Sequence, residues 1–394
     1  MFVKPEIEKF AKIRVVGVGG AGCNVLNTMI DSQQIQGVEF IAINTDAQAL
    51  SINKAAVKIP IGQEITKGLG AGSDPEIGKM AAEESKDVIK ANLEGSDMVF
   101  VTAGMGGGTG TGASPIIASL AKEIGALTIG VVTKPFHFEG AQRMQEAEKG
   151  AAALKREVDA LITIPNQKLI EIADETMSIL EAFKVSDSVL HQGVQGISDL
   201  IVMPGLINTD FADVRAVMKN AGSALMGIGI GTGENRAVEA AQSAISSPLL
   251  EVDIKGATGI LFNVTGGVDM GLKEVDAAAR IVNEAASSDA KIIFGHTVDV
   301  NMNDQVKITV IATGFDGDDM DIRSRLGMTE QEYGDAVTPR SQPTPIQTDA
   351  DDDDNIDSGD GDYTEPQEPS TPEETLEDDD DDNRFNIPAF LRGK

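Results

Sequence analysis

Residues 106–112 read Gly-Gly-Gly-Thr-Gly-Thr-Gly, between an apolar run at Met98–Thr102 and a helical pattern around Pro115–Ile124. Glycines let a backbone approach an anion closely, and a helix N-terminus directs unpaired N–H groups and the positive end of its dipole toward it. Gly104, Gly106, Gly107, Gly108 and Gly110 therefore read as a phosphate cradle, with Thr109 and Thr111 as added hydroxyl donors. No Lys-Ser or Lys-Thr follows the glycines, which excludes a Walker-type loop. A second glycine turn, Gly17-Val18-Gly19-Gly20-Ala21-Gly22, follows another apolar run and is succeeded by Cys23 and Asn24. It matches the dinucleotide fingerprint G-x-G-x-x-G, and Glu39 stands near the position of the ribose-binding acid, but a tight strand-to-helix turn explains it equally well.

Other residues carry chemistry only in context. Asn208-Thr209-Asp210-Phe211-Ala212-Asp213 is, on spacing alone, an acidic helix start stabilised by the helix dipole. Glu139 and Arg143 are spaced as an i,i+4 surface pair. Phe183 precedes Asp187 by one turn, so both project from one helix face, with ring beside acid; core packing is the other use of Phe183. His137, His191, His296 and the single cysteine show no metal-ligand spacing, so no metal site is expected.

The elements that must hold these residues follow from periodicity. Strands are expected at 12–18, 38–43, 97–103, 126–132 and 159–164 with helical patterns between them, an alternation that gives a parallel sheet covered on both faces, its ligand at the strands' carboxyl ends. Ser73-Asp74-Pro75-Glu76 offers a capping-box spacing with proline in the first turn. A long helix is expected over 175–203, ending at Pro204-Gly205. Beyond it, strands are expected at 224–230, 257–265, 291–295 and 305–312, and helices at 234–246 and 272–287.

Composition bounds the remainder. The 394 residues carry a formal net charge of −31 with no tryptophan and one cysteine, Cys23. Residues 316–394 hold 25 acids and 6 bases, leaving a net −12 on the first 315. So acidic a surface repels nucleic acid and anionic membranes, and it suits a saline cytoplasm where screening is short-ranged. No secretory leader and no apolar run of membrane-spanning length is read, so a cytoplasmic protein without direct membrane insertion is expected. From about 327 to 384 the chain is mostly Asp, Glu, Pro, Thr, Ser and Gly, too polar to offset its ordering entropy, and reads as a disordered linker. About 58 such residues span roughly 40–45 Å as a flexible coil. The abrupt Phe385-Asn386-Ile387-Pro388-Ala389-Phe390-Leu391-Arg392 reads as a docking peptide.

The glycine signature at 106–112 resembles that of the tubulin/FtsZ superfamily, and of the FtsZ family within it, and the resemblance extends over nearly all of 12–315 and the terminal peptide. It implies a tubulin-like fold: a Rossmann-like parallel-sheet GTP-binding domain (1–174), a central helix (175–205), a smaller α/β domain (206–315), an acidic disordered linker (316–384) and a docking peptide (385–394). It implies that Gly20, Ala21, Gly22, Cys23, Asn24, Asp46, Ala71 and Gly72 contact GTP or GDP with the phosphate loop. Glu139 and Arg143 would serve the ribose side, and Asn166, Phe183 and Asp187 the guanine. It further implies head-to-tail filaments in which Asp210 and Asp213, with Asn208, activate water at the next subunit's nucleotide, assisted by Mg²⁺ bound with that nucleotide. A cell-division GTPase at the mid-cell ring, docked by its terminal peptide to a membrane-anchoring partner, is the function implied. The alternatives are a filament-forming paralogue with a structural role and, on the Gly17–Gly22 fingerprint, a dinucleotide oxidoreductase.

Overall fold

The computed structural model describes residues 11–171, 177–203, 210–250, 254–299, 302 and 304–315. The chain opens with β1 (Ile13–Val18), α1 (Gly19–Ser32), β2 (Val38–Asn44), α2 (Ala47–Ser51) and β3 (Val57–Pro60). Three helices follow, α3 (Gln63–Thr66), α4 (Pro75–Glu84) and α5 (Lys86–Leu93), then β4 (Met98–Gly104), α6 (Thr109–Glu123), β5 (Leu127–Lys134), α7 (Ala141–Glu157), β6 (Ala160–Pro165) and α8 (Asn166–Glu171). The long helix is α9 (Ile179–Val202). After it come α10 (Phe211–Met218), β7 (Gly222–Thr232), α11 (Arg236–Ile245), β8 (Gly259–Gly266), α12 (Leu272–Ala285), β9 (Lys291–Val298) and β10 (Gln305–Thr313).

All ten strands form one sheet in the order β3-β2-β1-β4-β5-β6-β7-β10-β8-β9. The first seven are parallel neighbours, and β10 runs antiparallel between β7 and β8. This is the parallel-dominated α/β architecture expected from the alternating pattern. The strand order reverses at β1, between β2 and β4, which opens a crevice at the carboxyl ends of β1 and β4.

Both sheet faces are covered, so the central strands are apolar throughout rather than alternating with polar residues. In β4, Met98 and Phe100 enter a core shared with α1, α9 and α10. Val99, Val101 and Ala103 point the other way, into a core shared with α4, α5, α6 and α7. A third core joins α11 and α12 to β8 and β10. The two halves of the sheet meet over a short seam: β6 pairs with β7 only at Ala160–Ile162 against Gly222–Ala224. Buried Asp159 clips that seam, accepting N–H bonds from Thr128 (2.9 Å) and Asn220 (3.4 Å).

Helix starts show how sequence sets local structure. Ser178 and Glu181 form a reciprocal capping box at α9, with the Ser178 N–H donating to Glu181 at 2.8 Å. At α4 the cap is Asp74 rather than Ser73: its carboxylate accepts the Glu76 N–H at 2.9 Å, Pro75 takes the first helical position, and Ser73 adopts a left-handed φ of 65°. The expected box does not form; with proline at the first helical position the cap sits one residue along the chain, as a single Asp74 contact.

Candidate functional site

Five loops converge at the carboxyl ends of β1, β2, β4, β5 and β6, and hydrogen bonds lace them together. Thr45, after β2, shares a 2.6 Å hydroxyl bond with Thr109 at the start of α6. Its carbonyl accepts the Gly70 N–H at 3.3 Å, and Asp46 caps α2 through the Ala49 N–H at 3.0 Å. The Met105 N–H donates to the Thr133 carbonyl, at the end of β5, at 2.9 Å. A Cβ on Gly19, whose φ is +71°, would lie 2.8 Å from the Gly110 nitrogen, so the two glycine turns pack directly on each other.

The glycines divide by task. Gly22, Gly104, Gly106, Gly108, Gly110 and Gly112 pack against neighbouring chain; a Cβ on Gly108 would meet Ala71 at 2.8 Å. Gly20, Gly72 and Gly107 face open space, with nothing within 4 Å of an added Cβ. Neither α1 nor α6 has a side-chain cap or an acid in its first turn. Both N-termini therefore present their N–H groups and positive dipole ends to one crevice, the arrangement that holds a phosphate chain. A cavity of about 400 Å³ lies behind this crevice, between α4, α6 and α7 with Thr111 and Gly112 in its wall. It lacks the open glycines and is separate from the candidate site.

Several expected side-chain roles change in the folded chain. The Thr111 hydroxyl accepts the Gly106 N–H at 2.8 Å and Thr109 is paired to Thr45, so both brace the loop from within. Cys23 is buried in the core beneath α1, and burial pushes its thiol up to about 12, so only its backbone fronts the loop. Asn24 and Ala21 are exposed, and Ala71 is buried. Glu139 and Arg143 form the i,i+4 ion pair at 3.2 Å, and Glu139 also accepts the Phe136 N–H at 2.9 Å. Glu39 is a correction: it sits near the amino end of β2, paired with Arg14 at 2.8 Å, at the wrong end of the strand for a ribose-binding acid. The dinucleotide reading loses its acid.

Beyond β6, Asn166 opens α8, buried, its side-chain oxygen accepting the Ser186 hydroxyl at 2.7 Å. Phe183 is 40% exposed and meets Phe136 edge to face at 5.4 Å, tying α9 to the 133–139 loop. Asp187 has no hydrogen-bond or ion-pair partner among the described residues, and burial pushes its carboxyl up to about 6. Sequence reasoning missed Ser186, since a single hydroxyl carries no motif; only the fold shows what it touches.

Asp210 and Asp213 stand apart from the loops. Asp210 caps α10 by accepting the Asp213 N–H at 2.8 Å, and both acids are exposed. From the same helix Arg215 donates to the Gly125 carbonyl at 3.4 Å, just before the amino end of β5. The glycine loops lie at the other end of the strands, about 25 Å away for eight residues of β-strand. Asn208 lies outside the described residues, as do 316–384 and the peptide Phe385–Arg392.

The strand order, the switch-point crevice and the paired glycine loops define a nucleotide-binding α/β protein. Residues 12–174 match the profile of the Tubulin/FtsZ family GTPase domain, and residues 222–316 match the FtsZ family C-terminal domain. The solved FtsZ dimer of M. jannaschii is 49% identical over 78% of this chain and 89% of its own, with a TM-score of 0.75. A point mutant of the same FtsZ is equally similar and is covered over 92% of its length. A GTPgS-bound protofilament of CetZ2 from Haloferax volcanii shares the fold at 20% identity, with a TM-score of 0.68 and all of its chain covered. The chain belongs to the FtsZ family and carries that family's GTPase domain, so it is a GTPase that binds GTP and GDP.

Proposed function

We propose that the chain is an assembly-stimulated GTPase of the cell-division ring, hydrolysing GTP where one protomer's α10 meets the nucleotide of the next. The observation that carries this reading is the separation just described: the exposed acids Asp210 and Asp213 lie near the amino ends of the strands, and the phosphate loops lie at the carboxyl ends. One protomer cannot bring both to the same phosphate, whereas two stacked head to tail can. Such heterologous contacts do not close and generate filaments. The solved dimer of the M. jannaschii FtsZ supports self-association of this chain.

In the proposed site, the N–H groups of Gly20–Asn24 and Gly104–Thr111 hold the phosphates, and Asp46, Ala71 and Gly72 close the loop rim. Glu139 and Arg143 flank the ribose. Phe183 packs on the purine, Asn166 and Asp187 read its polar edge, and an ionised Asp187 accepts both N1–H and N2–H₂ of guanine. From the neighbour, Asp210 and Asp213, with Asn208, orient a water in line with the γ-phosphate and draw off its proton. Mg²⁺ bound with the nucleotide would offset phosphate charge. The proposed units are the nucleotide domain (1–174), the central helix (175–205), the activation domain (206–315), the acidic linker (316–384) and the docking peptide (385–394), whose partner is a membrane-anchoring division protein. The proposed place of action is the cytoplasmic mid-cell ring. Among the described residues no helix is long and apolar enough to cross a membrane.

Asp213→Ala tests the reading. The variant should bind GTP and polymerise, with turnover down by ~10²–10⁴-fold, the usual range for losing a positioned acid–base group. Phosphate release at the normal rate would remove the proposed role.

A further inference from the structure

We infer, on the proposal that Asp210 and Asp213 act at the neighbour's nucleotide, that Asp159 is the residue that positions them. Asp159 directly precedes β6 and is buried where the two halves of the sheet meet. Toward β5, its N–H donates to the Thr128 carbonyl at 2.8 Å, and one carboxylate oxygen accepts the Thr128 N–H at 2.9 Å. Toward the turn between α10 and β7, its carbonyl accepts the Gly222 N–H at 3.0 Å. The other carboxylate oxygen accepts the Asn220 N–H at 3.4 Å. Backbone N–H groups only donate and a carboxylate oxygen only accepts, so the direction of both side-chain bonds is fixed.

The turn that Asp159 grips is the foot of α10. Asn220 there has a left-handed φ of 53°, and the Lys219 N–H closes the helix on the Arg215 carbonyl at 2.9 Å. From that foot the helix runs back eight residues, about 12 Å, to the Asp210 cap. Val214, Val217 and Met218 seat its inner side in the core that also holds Leu127, Ile129, Ala160 and Ile162 of β5 and β6. Apolar packing keeps the helix down but is non-directional. Its heading is set by the bonds to Asp159 and by the exposed Arg215 contact with the Gly125 carbonyl at 3.4 Å. A swing of about 10° at the foot would carry the acids about 2 Å over that length. Misplacing a catalytic group by about 1 Å can cost ~10²-fold in rate. Asp159 itself, buried at the far end of the helix from the acids, does not reach the neighbour's nucleotide.

A double-mutant cycle on GTP turnover per polymerised subunit tests this, with GTP dissociation constant, pelleted polymer and unfolding midpoint measured alongside. Asp159→Asn keeps the size of the side chain but offers one acceptor oxygen to two backbone N–H groups. Whichever way the amide turns, one of them meets an NH₂. Turnover should fall about tenfold, the scale of a displacement below 1 Å, while GTP affinity and polymer yield keep their parental values. In an Asp213→Ala background, with residual hydrolysis read from radiolabelled GTP, the same substitution should have no further effect. An equal fold-loss in both backgrounds, or a lowered unfolding midpoint with unchanged turnover, would reduce Asp159 to a strut of the fold and overturn the positioning role. Should Asp159→Asn fail to fold, the turn itself is changed. Asn220→Ala, which strains the left-handed φ, should lower turnover, and Asn220→Gly, which suits it, should not. Equal turnover in those two would also overturn the role. Parental turnover in Asp213→Ala alone would instead remove the proposal about α10, whatever Asp159 does.

Discussion

Asp187 is a carboxylate held where it gains nothing from the protein around it. Its carboxyl is pushed up to about 6 by burial, with no donor nearby to favour ionisation. In the proposed site guanine brings the missing donors, so binding there draws on the ionised form. As pH falls through about 6 the free protein protonates, and GTP affinity should weaken by up to about tenfold per pH unit. The nucleotide's terminal phosphate titrates in the same region. The clean measurement is therefore the difference between the parent and Asp187→Asn from pH 5 to 8. A parent profile that parallels the variant's would show that this carboxyl is not in contact with the base. At the same scale the side-chain directions of Cys23, Thr109 and Thr111 could not be read from the sequence. Each sits in a glycine-rich loop whose motif fixes the path of the backbone, and packing alone decides which way a small side chain turns.

Elements were legible where burial leaves a periodic trace. Strands β1, β4 and β5 are covered on both faces and read as apolar runs, and β1 and β4 lead into glycines, so their places were plain. Short β3 and α8 left too few residues for a period and passed unseen. The continuity of the sheet was equally hidden, because β6 and β7 are joined by three residue pairs that no composition shift marks. Gly112 illustrates a further point. It belongs to the glycine signature, yet an added Cβ would collide with the Pro75 carbonyl of α4. Its reason is helix contact rather than ligand contact. Gly112→Ala should therefore cost ~1–3 kcal/mol in denaturant stability through overpacking. Unaltered stability would mean that α4 is free to move off α6.

At the scale of the molecule, the contact of α9 with the second half of the sheet carries a polar cluster beside its apolar packing. Asp199 on α9 is buried beside Gln195, with Lys307 of β10 and Asp299, which follows β9, close enough to act on it. Lys307 approaches Gln195 at 3.5 Å. His191, two turns earlier on α9, is pushed down to about 4 by burial and then by Lys307, so it is neutral here. Burial, the larger influence, and then the Asp299 charge hold the Asp199 carboxyl up at about 7 against the attraction of Lys307. The folded protein thus keeps a proton on Asp199 down from about pH 7, while the unfolded chain releases it above about pH 4. Stability from this group is gained as pH falls through 7 toward 4, and the ionised form is a burden above 7. Asp199→Asn should flatten that part of the pH–stability curve and raise the unfolding midpoint at pH 8. A lower midpoint at pH 8 would show the charge to be favourable where it lies.

In the proposed assembly no single protomer holds a whole catalytic site. The most direct measurement is phosphate release per molecule across a dilution series of the full chain, with light scattering read in parallel. Specific activity should be near zero at concentrations without scattering and rise steeply where assembly begins. A specific activity that stays constant from dilute monomer to dense polymer would contradict it.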